Sequence, residues 1–165
     1  MSIKNVVVRN DAAMHFTATT GSGFPVTFDS GDAQTAPGPT EVVLAALAAC
    51  SAMDVVSILA KKRQTFERYE IHVRGDQRDA YPQVFTRIDV VHEMAGSVEP
   101  VALRRSIELS ATKYCPVNAM LAAGDTEIHH AYHLVRGGTQ PLDEMVEVIV
   151  TGPYRRPDVT RPGRE

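Results

Sequence analysis

The stretch Gly38-Pro-Thr-Glu-Val-Val-Leu-Ala-Ala-Leu-Ala-Ala-Cys50 decides how this 165-residue chain folds. Thr40 is a good N-cap with Glu41 in the first turn, and together they predict a helix that runs to Lys62. Every residue from Val42 to Cys50 is apolar, so this half of the helix has no face suited to water. We therefore expect a long buried central helix, enclosed between sheets or inside a dimer.

Three short segments rich in Val, Phe and Thr precede this helix. They run from Lys4 to Arg9, from Met14 to Thr20 and from Phe24 to Phe28, and turn-forming residues separate them. This pattern predicts an N-terminal β-meander of three strands.

The chain after the central helix alternates between strand and helix patterns. Tyr69 to Val73 and Ile88 to Val90 show the two-residue period of half-buried strands, which predicts a second β-hairpin. Pro100 opens a second helix, and the Cys115-Pro116 pair interrupts it before a further short helix with Cys115 at its N-cap. The last predicted strands run from Glu127 to Arg136 and from Glu144 to Thr151, around a Gly137-Gly138 loop. The fold class is α+β, with one domain over residues 1–152 and a flexible tail over residues 153–165.

Charge and hydropathy exclude several classes of partner. The formal net charge is -3, and the longest basic run, Lys61 to Arg63, has three residues, so we expect no nucleic-acid partner. The N-terminus lacks an apolar signal core, and the apolar run from Val42 to Cys50 is too short to span a bilayer. We expect a cytoplasmic protein with no membrane partner.

Two cysteines, Cys50 and Cys115, are the candidates for chemistry, as free thiols or as a redox couple. Cys50 lies among alanines, where a packing role is natural, although Asp54 lies one turn below it and a polar cleft could begin there. Cys115 has a helix N-terminus and Lys113 nearby, both of which favour a thiolate. Local electrostatics alone therefore favour Cys115 as the attacking thiol.

The six histidines give little support for a metal site. If the segment around His129 and His133 is a strand, these two lie about 13 Å apart on one face, too far to share a zinc ion. We expect His15, His72 and His92 to be surface or rim residues. The sequence has no phosphate-binding glycine loop or serine nucleophile elbow, so we expect neither a cofactor nor a metal.

The stretch from Gly38 to Cys50 is followed about 65 residues later by a second motif, Lys113-Tyr-Cys-Pro-Val-Asn-Ala-Met-Leu121. Together the two motifs resemble the OsmC/Ohr family of thiol-dependent hydroperoxide-reducing proteins. The predicted elements also follow that family's order over nearly the whole chain. The resemblance implies an OsmC-like fold and an intertwined homodimer with two active sites at its interface. This agrees with the enclosure that the central helix requires.

The resemblance also implies a role for each site residue. Cys50 corresponds to the peroxidatic thiol, which becomes a sulfenic acid, and Cys115 to the resolving thiol, which forms a disulfide with it. Glu41 corresponds to the catalytic glutamate of the family's hydroperoxidases, displaced here by one position because Thr40 follows the proline. The arginine of their N-terminal hairpin has no counterpart, since no Lys or Arg occurs from Asn10 to Ala60. Arg9, Arg104, Arg105 and Lys113 are the candidates to replace it, from elsewhere in the chain or from the other subunit. The chain therefore looks like the divergent OsmC-like branch called YhfA-like.

Two functions follow as hypotheses. The first is reduction of organic hydroperoxides through a Cys50 sulfenic acid that Cys115 resolves, with a cellular dithiol as reductant. The alternative is an OsmC-like protein that binds a small apolar ligand or senses oxidation without efficient peroxidase turnover.

Overall fold

The computed structural model describes residues 3–32, 34–135 and 145–152. Two compact units divide the chain, Met1–Val43 and Leu44–Glu165. The predicted Gly137-Gly138 loop and the predicted tail, residues 153–165, lie outside the described residues.

The first unit contains the predicted meander, which is confirmed. Strands β1 (Val6–Ala12), β2 (His15–Thr20) and β3 (Pro25–Phe28) form an antiparallel sheet in that order. The loop after β3 is organised by Asp29, whose carboxylate accepts backbone N–H groups of Gly31 and Thr35. These hydrogen bonds lower the pKa of Asp29 to about 2.

The central helix, α1, spans Pro39–Lys61, so it starts two residues before the Glu41 start that a Thr40 N-cap predicts and ends one residue before Lys62. Thr40 therefore lies inside its first turn and does not cap it. The backbone N–H of Gly38 donates to the Glu41 carboxylate at 2.7 Å, as in one half of a capping box. Pro39 at the first helical position has no N–H to satisfy, which suits the start of a helix.

One stripe of α1 is buried, and the other faces are open. The buried residues recur every fourth position, at Leu47, Ser51, Val55 and Leu59. Met53, in contrast, is 72% exposed. In the part of the chain that the structure describes, α1 is therefore not buried on all sides.

By length and composition alone, α1 could cross a membrane. It has 23 residues, and its most apolar 18-residue window has a mean hydropathy of 2.3. Only 22% of that window is buried. The core helix of a water-soluble protein meets the same criteria. The prediction, which rests only on the run from Val42 to Cys50, therefore underestimates the length of the apolar part of this helix.

The second unit is built on a four-stranded sheet in the order β4-β5-β6-β7, formed by β4 (Arg68–Gln77), β5 (Phe85–Ala95), β6 (Glu127–Val135) and β7 (Val146–Thr151). β4 and β5 form the predicted hairpin, whereas β5 and β6 are parallel. Parallel neighbours need a crossover connection, which α2 (Pro100–Leu109) and α3 (Pro116–Leu121) provide.

Two apolar clusters fill this unit. The first joins α1 and α2 to the sheet and contains Val55, Leu59, Met94, Leu103 and Ile107, among others. The second lies beside α1 around Leu47. Its buried members include Leu47, Phe85, Ile88, Val90, Cys115 and Ile128, and Cys50 packs against it. Cys115 is therefore a buried member of this cluster, and Cys50 lies at its edge.

We expect the protein to be a homodimer in dilute buffer, because the exposed apolar face of α1 needs a partner to remove it from water. Light scattering should give twice the 18.0 kDa of one chain. Met53→Glu places a charge on that face and should shift the mass towards one chain. Met145→Glu, at a position that is 61% exposed before β7, is the matched control and should leave the mass unchanged. A wild-type mass of one chain at micromolar concentration would rule the dimer out.

Candidate functional site

The two cysteines come together although 65 positions separate them in the sequence. The sulfur of Cys50 on α1, the sulfur of Cys115 before α3 and a carboxylate oxygen of Asp54 all lie within 4.8 Å of one another. Both cysteines are free thiols, Cys50 half-buried and Cys115 buried. A small movement would bring the sulfurs to bonding distance.

Backbone constraints fix the position of Cys115. After α2 the chain widens into a π-helical turn, Ser110–Tyr114, which the N–H of Cys115 closes on the carbonyl of Ser110 at 2.9 Å. Pro116 keeps the preceding residue extended, with φ -72° and ψ 104° at Cys115. The thiol then accepts the backbone N–H of Asn118 at 3.3 Å, so the predicted N-cap role is confirmed.

Burial dominates the acidity of Cys115. Only 3% of the residue is exposed, and burial, together with a hydrogen bond to Cys50, raises its pKa from 9.0 to about 12. The Asn118 N–H lowers the pKa by a smaller amount. The local argument for Cys115 as a thiolate is therefore wrong, because the cost of desolvation outweighs the helix N-terminus.

Asp54 is held beside the thiols by a serine pair. Its Oδ2 accepts the hydroxyl of Ser110 at 3.0 Å, and that hydroxyl also lies 3.3 Å from the Ser51 hydroxyl. Both serines are fully buried, which restricts the hydroxyl to few orientations. The carboxylate thus bridges α1 and the π-helical turn.

The sequence predicts a polar cleft that begins at Cys50, whereas the structure places a polar cavity beside Asp54 that neither cysteine lines. A cavity of about 340 Å³ opens there. Its lining consists of polar and aliphatic side chains: Asp54, Ser57, Ile58, Lys61, Lys62, Leu109 and Tyr114. Asp54 can therefore reach solvent while it also contacts the thiol pair.

A buried polar chain extends from Asn118 into the core. Its side-chain amide donates to the Ala111 carbonyl and to the Thr151 hydroxyl, which fixes the turn that precedes Cys115. Its Oδ1 accepts from Nε2 of His130 at 2.9 Å. Because an amide oxygen only accepts, His130 must carry its proton on Nε2.

His92 continues this chain and was wrongly expected at the surface. Its ring stacks on His130 with centroids 5.8 Å apart, and its Nδ1 lies 2.7 Å from the Tyr69 hydroxyl. Both histidines are fully buried. Burial lowers the pKa of His92 to about 3 and that of His130 to about 4. The sequence pattern indicates this burial, because each histidine occupies a position in the two-residue repeat of apolar residues that forms the inward face of its strand.

Three predicted features remain to be placed. The Glu41 carboxylate is engaged at the start of α1, and its catalytic role stays a prediction. Arg104 and Arg105, considered as substitutes for the missing hairpin arginine, both pair with Glu108. Lys113, another such candidate, lies 5.4 Å from the centre of the Tyr114 ring.

Within the described residues, one cluster has the geometry to share a cation, and it is the Cys50, Asp54 and Cys115 group itself. The histidine-rich segment of β6 does not form such a group in the part of the chain that the structure describes.

Comparison with known proteins gives consistent matches. A family model described as OsmC-like protein matches residues 31–131. Protein YhfA of Escherichia coli strain K12 is 37% identical over 121 residues, which cover 73% of this chain and 90% of that protein. A hypothetical protein from Aquifex aeolicus VF5 has a TM-score of 0.73 at 28% identity, over 84% of this chain and 100% of that one. An organic hydroperoxide resistance protein OsmC from Legionella pneumophila has a TM-score of 0.61 over 80% and 98% of the two chains, and at 11% identity it shows a shared fold.

We expect iodoacetamide to label Cys50 at least about 100-fold faster than Cys115 at pH 7, because Cys115 is buried and keeps its proton. Mass spectrometry of the reduced protein after timed labelling would measure both rates. In denaturant the two thiols should react at similar rates, which serves as the control. Faster labelling of Cys115 in the folded protein would contradict the assignment.

We expect the buried histidines to make the fold sensitive to acid. Their pKa values lie below that of an unfolded histidine, so the unfolded chain takes up protons first as the pH falls from about 6.5 towards 4. Each histidine should remove about 2 kcal/mol from the free energy of unfolding between pH 7 and pH 5. Urea denaturation at both pH values would measure this loss.

His130→Gln, which can still donate to Asn118, should lose about half of this pH dependence. His72→Gln is the control, because the His72 side chain is 62% exposed. An equal pH dependence in both variants would show that the buried rings are not responsible.

Proposed function

Because the chain belongs to the OsmC-like protein family, we propose that it reduces organic hydroperoxides, with Cys50 as the peroxidatic thiol and Cys115 as the resolving thiol. The observation that carries this proposal is the pairing of two thiols of unequal burial within 4.8 Å. The named hydroperoxide-resistance protein with the same fold points in the same direction.

The reaction would proceed in three steps. The Cys50 thiolate attacks the terminal peroxide oxygen, the O–O bond breaks, and an alcohol leaves once the alkoxide is protonated. The resulting Cys50 sulfenic acid reacts with the Cys115 thiol, so that an S–S bond forms and water leaves. A dithiol then reduces the disulfide by exchange and is itself oxidised.

The surroundings of the two thiols indicate which one attacks the peroxide and which one resolves the sulfenic acid. Cys115 is the wrong residue to attack first, because its high pKa keeps it protonated at neutral pH. Cys50 is more exposed and packs against an apolar cluster that includes Leu47 and Ile88. Such surroundings favour a peroxide with an organic substituent over hydrogen peroxide.

The attack should be slower than in relatives that have a hairpin arginine. An ordinary alkyl thiol is only about 3% ionised at pH 7, so a hydroperoxidase gains from a cation beside its thiol. Loss of one charge-assisted hydrogen bond, worth about 1.5–3 kcal/mol, corresponds to a tenfold or larger decrease in rate.

One feature favours the alternative of a redox-sensing or ligand-binding protein. The carboxylate of Asp54 lies beside the thiols, where it opposes the formation of a second negative charge. A protein of this kind would oxidise slowly and report the event without rapid turnover.

The setting of the activity is also a proposal. We propose that this member of the OsmC-like protein family acts in the cytoplasm as a homodimer. A dithiol is the expected reductant, because a single thiol must wait for a second molecule to release the mixed disulfide.

Single-cysteine variants test the function. With cumene hydroperoxide and dithiothreitol, Cys50→Ser should lose all turnover. Cys115→Ser should consume about one equivalent of peroxide and stop as the sulfenic acid. Peroxide consumption and the mass of the intact protein are the measurements. The reverse pattern would assign attack to Cys115, and thiols unreactive in the wild type would leave the sensing or binding role.

A further inference from the structure

We propose that Asp54 is the proton-transfer residue of the resolution step, taking the proton of Cys115 and delivering it to the hydroxide that leaves Cys50. This inference rests on the proposed function. It concerns a different step from the attack on peroxide, and a residue to which the proposed function gives no role in turnover.

The resolution step has two proton requirements. The thiol of Cys115 must lose its proton as its sulfur attacks the sulfur of the Cys50 sulfenic acid. The hydroxyl bound to that sulfur must gain a proton, because hydroxide is a poor leaving group and water is a good one. The balance is one thiol and one sulfenic acid converted to one disulfide and one water, with a single proton moved between them.

Asp54 is placed to serve both sulfurs. Its carboxylate oxygen lies within 4.8 Å of the sulfur of Cys50 and within 4.8 Å of that of Cys115. The hydroxyl of Ser110 donates to Oδ2 and orients the carboxylate. An oriented acceptor close to the proton donor is one element of general acid–base catalysis, and one water molecule can carry a proton across a gap of this size.

Without a base, resolution would depend on a very small thiolate population. Burial and the hydrogen bond to Cys50 raise the pKa of Cys115, so little of this thiol is ionised at neutral pH. Direct proton transfer to a neighbouring carboxylate avoids that dependence on the free thiolate. General acid–base catalysis of this kind contributes about 100-fold or more to a rate.

Other ionisable groups border the site and belong to the pH argument. Lys61 and Lys62 line the same cavity as Asp54 from the end of α1, and Tyr114 lines it from the π-helical turn. Cys50 and Cys115 are the two groups on the side of the sulfurs. An ionised carboxylate is the form that accepts a proton.

The test separates the two chemical steps. Reduced protein is mixed with excess hydrogen peroxide, which oxidises accessible thiols even where organic peroxide turnover is slow, and dimedone traps the sulfenic acid for mass spectrometry. In Asp54→Asn the first step should persist, while disulfide formation slows by about 100-fold and trapped sulfenic acid accumulates. The wild type should form the disulfide with little trapping.

The pH profile distinguishes proton transfer from a merely structural role. Disulfide formation in Asp54→Asn should rise about tenfold per pH unit through neutral pH, since it then depends on free thiolate, whereas the wild-type rate should change little. Asp54→Glu should recover part of the rate. Asp76→Asn removes an exposed carboxylate on β4 and should behave as the wild type.

Each outcome bears on one claim. Resolution in folded Asp54→Asn at the wild-type rate, with the same pH profile, would overturn the role of Asp54 and leave the peroxidase standing. A wild type that fails to turn over organic hydroperoxide but resolves its sulfenic acid faster than Asp54→Asn would overturn the proposed function alone. If Asp54→Asn does not fold, the comparison of Asp54→Glu with the wild type decides, and identical rates and profiles there would count as failure.

Discussion

The break in the helical chain at Cys115 and Pro116, between the π-helical turn and α3, is the constraint on which the site depends. Proline cannot donate a backbone N–H and disfavours a helical residue before it, so the chain must leave the helix at Cys115. The π-helical turn absorbs the change and carries Ser110 towards α1, where it meets Asp54. A single proline thus places the second thiol and the partner of the carboxylate at the same time.

Competition between burial and charge decides the chemistry of the two thiols. A helix N-terminus contributes on the order of 1 kcal/mol in favour of an anion. Removal of a group from water can raise the pKa of a thiol by several units, each unit being about 1.4 kcal/mol. At Cys115 burial wins, and the same packing that makes this thiol a poor attacker keeps it ready beside Cys50.

Much of the fold and part of the site could be predicted from the sequence, for identifiable reasons. The meander, the hairpin and the Cys115 N-cap rest on local patterns, which act over a few residues. The depth of Cys115 and the stacked pair of His92 and His130 depend on how distant elements pack, which local patterns do not contain. The exposed face of α1 could not be predicted for the same reason. Apolar composition shows that a helix must be buried, and it does not show which chain buries it.

The separation of the two thiols along the chain links oxidation to folding. A bond between Cys50 and Cys115 would close a loop of about 65 residues, and the lost freedom of the unfolded chain corresponds to about 4 kcal/mol in favour of the folded protein. By the same thermodynamic cycle, the folded protein holds its disulfide more strongly than the unfolded chain does. Formation of the disulfide would therefore stabilise the folded state, as a bound ligand does. The oxidised protein should then resist unfolding and proteolysis for longer than the reduced protein, until a reductant opens the disulfide.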